Sequence, residues 1–470
     1  MSDNKASNRV VVVSAGVAGL SCAYLIRKNC RKMGINLDLT ILEAGDRHGG
    51  STRTEMIDGY TCERGPNGFL DNEPATLELI DMLGLKDRLV PADESAGRRF
   101  IYHGGKMREI ALHPLKFLKS DILPWSAKFR MGLEFFIPRY KGDGDETVLS
   151  FGRRRLGESF AKLLLDPMVS GIFAGNIDEL SLKAVFPNMY SMEREYGGLF
   201  KALIGKKREA KKTGKKAGGP GGPGALLHTF KSGMGELTDS LAGQFESELK
   251  ISSPVKRIEY SNGSFVVKTE HELFEADSVI LACPSFEAAT IVNDLDNVTA
   301  GKLNAIPFAP VDVVCHGHPK ENIAHDVNGF GVLIPRSEGI RSLGCLWSDS
   351  IFPGQAPVNH HLLRTILGGA HDYAIAEESF SSINSIAHDD MDKLLGINKE
   401  PSFKKIFRHP KGIAQYIVGH LDKLSVIENL EKDLPGLFFT GASYRGVSVN
   451  GCVKDAFRVT DLYGNIVRQV

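Results

Sequence analysis

The chain has 470 residues, 42% hydrophobic and 24% charged, which is the composition of a globular protein of two or three domains. Its 57 basic side chains balance its 57 acidic ones, so no global charge draws it to nucleic acid or to anionic lipid. Seven scattered cysteines without a CxxC spacing argue against a disulfide framework and a structural zinc site, and suit a reducing cytoplasm.

Residues 1–8 are short and polar and do not read as a signal peptide. No run of about 18 apolar residues predicts a spanning helix. Residues 9–13 read as a buried parallel strand. Ser14-Ala15-Gly16-Val17-Ala18-Gly19 follows without a gap, and then a helix over 21–33 that Gly34 stops. A second strand at 37–42 ends on Glu43. Strand, glycine turn, helix, strand and acid make a unit of dinucleotide-binding length. Gly16 lets the backbone approach a pyrophosphate, and Gly19 lets helix and strand pack closely. The helix N-terminus offers free N–H groups to phosphates, and Glu43 is placed to accept from ribose hydroxyls. Ser14 replaces the first glycine of the fingerprint, and a positive φ there would strain it.

A glycine fingerprint alone leaves open a generic nucleotide fold or a chance turn. The stretch Glu43-Ala44-Gly45-Asp46-Arg47-His48-Gly49-Gly50-Ser51-Thr52-Arg53-Thr54 resembles the second motif of FAD-dependent amine oxidases, whose Arg-x-Gly-Gly sits beneath the cofactor. The resemblance implies FAD, held by Ser14, Ala15, Gly16, Val17, Ala18, Gly19, Glu43, Ala44, Arg47, Gly49, Gly50 and Ser51.

Residues 57–63 alternate like a strand and lead into Glu63-Arg64-Gly65-Pro66-Asn67-Gly68-Phe69-Leu70. This segment resembles one of the oxygen-dependent protoporphyrinogen and coproporphyrinogen oxidases, which usually carry Ser where this chain has Gly68. In that family the turn lies over the flavin, which implies contacts from Gly65, Pro66, Asn67 and Gly68. Residues 73–89 have a helical period, and 98–110 read as a hairpin about Gly104-Gly105. The family's propionate-binding arginine falls on Arg99, where two parallel bonds to a carboxylate are available that lysine could not make. In its own context Arg99 reads as a solvated strand end.

Residues 114–140 read as helix broken at Pro124, mixing Trp125, Phe129, Phe135 and Phe136 with Lys116, Lys119, Lys128, Arg130 and Arg139. That is the pattern of a peripheral membrane helix, and equally of a buried helix with a solvated basic face. Residues 166–176 resemble the family signature SG(I/V)(F/Y)AG, which implies that Gly171 brings backbone against the substrate. Residues 206–224 are basic and then Gly/Pro-rich, and are expected to be a mobile loop rather than a nucleic-acid patch. Val255 matches the family position whose backbone contacts adenine. Residues 329–335 resemble GFGxLxP, which puts Phe330 and Leu333 on the macrocycle; Ile366 matches a further wall position and reads equally as plain core. Residues 438–452 resemble the final FAD motif, which implies contacts from Gly441, Val447, Ser448 and Val449, with Gly451 where Asp is usual.

The resemblance runs from Arg9 to about residue 463 with its motifs in order. It implies an α/β fold: a Rossmann-like, amine-oxidase-type FAD-binding domain, a discontinuous α+β substrate domain and a helical domain with a candidate membrane face. The expected boundaries are 1–75, 226–284 and 409–470 for the FAD-binding domain, and 76–112 with 285–408 for the substrate domain. The helical domain spans 113–205 and the loop 206–225. The implied activity is protoporphyrinogen IX oxidation to protoporphyrin IX, with electrons passed to O2 as peroxide. FAD carries the chemistry, and no metal, Ser/His/Asp set or paired acid is called for. The partners are a porphyrinogen and O2, with no nucleic acid. The expected location is cytoplasmic, with room for peripheral contact on the inner face of the cell membrane, a homodimer, and hand-over to the next enzyme of heme synthesis. Coproporphyrinogen III as substrate stays open. So does another flavin amine oxidase activity, and so does a degenerate non-catalytic homologue, given the departures at Ser14, Gly68, Ser232, Ala414 and Gly451.

Overall fold

A computed structural model describes residues 8–111, 113–142, 144–213 and 225–468. The valines of strand Asn8–Val13 form the centre of a five-stranded parallel sheet. Leu37–Leu42 and Ser278–Leu281 flank that strand, and Leu249–Lys250 and Leu437–Phe439 form the edges. These runs are almost wholly apolar because both faces are covered. Val10 and Val12 face the helices Val17–Met33 and Val449–Val467. Val11 and Val13 face a second core that includes Ala288, Leu303 and Ile427. The first helix starts at Val17, earlier than its pattern alone indicates, and Gly34 ends it in the left-handed region at φ 70°.

A second, seven-stranded sheet runs in the order Phe403–Ala414, Phe308–Pro319, His360–Gly368, Ser342–Trp347, Gly331–Leu333, Arg99–His103 and Lys106–Glu109. Its neighbours are antiparallel except Gly331–Leu333 with Arg99–His103, which run parallel. One face packs on helix Phe380–Leu395 through Val332, Trp347 and Met391. The other face looks toward the hairpin at 54–63 and helix Asp166–Phe173.

Three expectations are corrected. The segment 57–63 is not one strand but the return of a hairpin, Thr54–Ile57 with Tyr60–Glu63. Asp58 at φ 51° and Gly59 at φ 81° make the turn, which is the left-handed pair that a two-residue hairpin requires. The boundary expected at 408/409 falls inside strand Phe403–Ala414, whose ladder with Phe308–Pro319 continues to Ala414. Residues 206–213 belong to helix Leu199–Thr213, because Lys, Arg, Glu and Ala are all good helix formers. The Gly/Pro run 214–224 lies outside the described residues.

The helical unit packs around a fully buried arginine. Arg155 donates from Nη1 to the Ile137 carbonyl at 2.8 Å and from Nη2 to the Gly197 carbonyl at 2.6 Å. Its Nε lies 3.1 Å from Glu193. Glu134, also fully buried, accepts the Leu199 and Phe200 N–H groups at 2.7 and 3.0 Å, satisfying the start of the next helix. Replacing Arg155 by Met removes the cation and leaves two buried carboxylates without it. The expected loss is about 3–5 kcal/mol of stability, read as a lower urea midpoint.

Candidate active site

The candidate cofactor residues converge at the carboxyl ends of the parallel strands. They gather beside the central strand, where the order reverses and ligands bind in open α/β sheets. Gly16 precedes the first helix in extended conformation and no side chain caps that helix, so its first N–H groups remain available. The nearest atom to a side chain at Gly16 would be Ser14 Oγ at 3.9 Å, so the turn is open there. A Cβ at Gly19, by contrast, would run into the Ser14 carbonyl oxygen. Ser14 itself sits at φ 89°, the strained region that the sequence anticipates. Glu43 folds onto this turn: its carboxylate accepts Ala15 N–H at 2.6 Å and Gly45 N–H at 2.9 Å.

The Gly49 N–H donates to the Ala15 carbonyl at 2.8 Å, and Gly50 faces Gly16 across the gap. Gly65 lies so close on Ser51 that a Cβ would meet the Ser51 carbonyl. Arg47 and Ala44 are exposed at the rim, while Pro66 and Asn67 are half-buried in the turn beyond Gly65. The chain passes back over the acid when Ser253 N–H donates to the Glu43 carbonyl at 2.8 Å, and this carries Val255 to the same edge. Gly441 packs toward Ala18. Ser448 caps the helix that starts at Val449, and Asn450 ties that helix to the Leu70 carbonyl at 2.8 Å. Val447 is half-buried between the helical unit and the end of the second sheet.

Two departures from the family pattern have local steric causes. A Cβ at Gly68 would stand 2.7 Å from the His228 carbonyl, and one at Gly451 would stand 2.8 Å from Gly446 Cα. Larger residues do not fit unless those neighbours move. Ser232 donates both its N–H and its hydroxyl to the Glu236 carboxylate, and the hydroxyl bond is one that glycine could not make.

The candidate substrate residues lie on the second sheet. Ile366 pairs with Gly344, Gly344 with Leu333, and Leu333 with Ile101, a single row across four strands. The next row runs Arg364, Leu346, Gly331 and Arg99. Arg99 is exposed, with its guanidinium 5.2 Å from the centre of the Phe330 ring. Its neighbour Arg98 is committed to Glu109, Asp326 and the Asn328 carbonyl. Gly171 faces Leu333: a Cβ there would lie 2.9 Å from a Leu333 methyl. A cavity of about 650 Å³ opens further along the same strand, between His103, Leu123, Leu163, Asp166 and Arg336. None of Arg99, Gly171, Phe330, Leu333 and Ile366 lines it.

The sequence pattern described as flavin-containing amine oxidoreductase matches residues 17–462. The chain belongs to that family. Coproporphyrinogen III oxidase of Bacillus subtilis is 29% identical over 96% of this chain and 97% of its own length. The chloroplastic protoporphyrinogen oxidase of Nicotiana tabacum is 32% identical over 96% of this chain and 84% of its own. A crystal structure assigned as a protoporphyrinogen oxidase, from Exiguobacterium sp. 255-15, superposes with a TM-score of 0.83 at 26% identity. It covers 98% of this chain and 99% of that one. The protein is an FAD-dependent oxidoreductase.

For a flavin amine oxidoreductase the cradle has the right form. An uncapped helix end faces the Gly16 and Gly50 gap, and Gly19 and Gly65 stand where a Cβ would collide with backbone. The sequence reading missed the polar residues beneath it. Glu63 and Arg364 are both buried, and Arg364 donates to the Glu63 and Gly65 carbonyls. An acid one residue ahead of the Gly-Pro turn is the only local signal for the first; nothing local marks the second. Ser14→Gly relieves a strain of about 1 kcal/mol and is expected to tighten FAD binding about fivefold, measured by flavin titration of the apoprotein.

Proposed function

We propose that this flavoprotein oxidises a porphyrinogen to the porphyrin with O2 as acceptor, a late step of heme synthesis. The observation that carries the reading is the Arg99–Phe330 pair at the end of the row adjoining the apolar one formed by Ile366, Leu333 and Ile101. A flat macrocycle suits the row, and a propionate suits a guanidinium with no carboxylate partner among the described residues. The near full-length relatives named for protoporphyrinogen and coproporphyrinogen oxidation support the same class. Protoporphyrinogen IX is the substrate of this reading and coproporphyrinogen III the alternative.

FAD, when bound, supplies the electron acceptor. In this reading Gly16, Gly19, Gly49, Gly50 and Ser51 hold its pyrophosphate end, Glu43 its ribose and Val255 its adenine. The turn 65–68 and residues Gly441, Val447, Ser448 and Val449 enclose the flavin. Gly171 and Leu333 narrow the opening over the ring, and Arg99 fixes one edge of the substrate. The domain division follows the two sheets: 1–75, 226–284 and the chain beyond 414 for FAD, and 76–112 with 285–414 for substrate.

The protein is read as cytoplasmic and peripheral. No described helix is long and apolar enough to cross a membrane. Trp125 and Phe129 are each 72% exposed and Phe136 is 76% exposed, on a unit that also carries Lys116, Lys119 and Arg139. Exposed aromatics with basic neighbours suit an anionic bilayer surface. The double variant W125S/F129S is expected to cut sedimentation with anionic vesicles at least about threefold without changing flavin content. Equal sedimentation would remove this face from membrane binding.

Activity is tested by fluorescence assay with both porphyrinogens side by side on the yellow holoprotein. Inertness toward both would sink the enzyme reading and favour a binding homologue. Arg99→Ala is expected to raise KM about tenfold or more while flavin content stays unchanged. Loss of flavin instead would make Arg99 structural.

A further inference from the structure

Glu63 has no role in the reading above, yet three segments meet on it. It is 2% exposed and ends the strand Tyr60–Glu63, immediately before the turn at 64–68. One carboxylate oxygen accepts Met234 N–H at 2.8 Å, and the other accepts the Thr54 hydroxyl at 2.7 Å. Thr54 Oγ1 in turn accepts Gly235 N–H at 2.9 Å. Helix Gly235–Ala242 has no side-chain cap from its own first residue, so Glu63 and Thr54 satisfy two of its free N–H groups. The fit is close: at Gly233, with φ +86°, a Cβ would stand 2.6 Å from Glu63 Oε1. Arg364 approaches from the second sheet, 4% exposed. Its Nε donates to the Glu63 carbonyl at 3.2 Å and its Nη2 to the Gly65 carbonyl.

We propose that Glu63 is a positioning residue for the cofactor. With Arg364 it fixes the Thr54 strand, the turn at 64–68 and the start of helix Gly235–Ala242 as one unit, and locks that unit to the substrate sheet. The proposal rests on the reading of these segments as the FAD cradle. Removing the carboxyl frees both the helix start and the strand that follows Gly49-Gly50-Ser51, and FAD affinity falls.

The charge on this clasp changes near neutral pH. Burial pushes the Glu63 carboxyl up from 4.5 to about 7, against the Met234 and Thr54 donors and the charge of Arg364. Arg364 is faced in turn by the thiols of Cys62, Cys315 and Cys345, and His409 lies against the Arg64 carbonyl. A folded value above the unfolded one means that stability is fully present below pH 4.5 and is lost as pH rises through about 7. The fold that carries the cradle is therefore less stable toward alkaline pH.

The test titrates apoprotein with FAD at about pH 6 and about pH 8.5 for the wild type, Glu63→Gln and Glu63→Ala. Wild-type stability, read as the urea midpoint at the same two pH values, is expected to be lower at the higher pH. Glu63→Gln keeps an acceptor for Met234 N–H and a donor for Thr54. It is expected to bind within about threefold of wild type at the lower pH, and to lose most of the pH dependence. Glu63→Ala is expected to weaken FAD about tenfold or more at both. Wild-type affinity in Glu63→Ala, or wild-type pH dependence in Glu63→Gln, overturns the proposal. If Glu63→Ala does not fold, Glu63→Gln decides alone. A wild type that binds no FAD at either pH overturns the cradle reading itself.

Discussion

The first helix lies so close to the central strand that no side chain fits at Gly19, and the cofactor half of the molecule depends on that approach. It brings the helix N-terminus over the carboxyl ends of the parallel strands, where its uncapped N–H groups are left for a ligand. The same approach sets the height of the Ser14-Ala15-Gly16 turn. That turn then receives Glu43 from the next strand and the Gly49 N–H from the loop beyond it. A larger residue at 19 would lift the helix and separate all of these at once.

The second sheet is held differently. Its wall is one row of side chains across four strands, so its flatness comes from register rather than from any single contact. Arg99 and Arg364 stand at opposite ends of the adjoining row, about 14 Å apart at ordinary strand spacing. Arg99 is exposed at the start of the strand next to the sheet edge, whereas Arg364 is buried against the hairpin at 54–63. Two residues of one type, in one row, thus stand in opposite settings: one is exposed, and the other is spent on backbone carbonyls.

Local pattern made the cofactor half legible. The apolar runs at 9–13 and 37–42, the glycine turn, the acid at Glu43 and the stop at Gly34 each act within a few residues, and each stands where the pattern puts it. The strain at Ser14 was legible for the same reason, since a missing glycine in a tight turn is a local fact. What escaped depends on distant partners. Arg364 acquires its role from carbonyls about three hundred residues away in the chain, and nothing in its own strand announces it. Residues 206–213 are helical because the propensity of Lys, Arg, Glu and Ala outweighs their polar composition. The hairpin at 54–63 hid because Asp58 and Gly59 interrupt a run that otherwise alternates.

The clasp between Asn450 and the Leu70 carbonyl has a consequence for biosynthesis. The last long helix packs on the first and closes the cradle from behind, so the ribosome must deliver almost the whole chain before that wall exists. The parallel pairing of Arg99 with Gly331 imposes a similar wait on the substrate wall. Early segments can fold as they emerge, but the two surfaces that matter are completed late, from pieces made at opposite ends of translation. A chain that stops before residue 449 lacks the helix that ties back to Leu70.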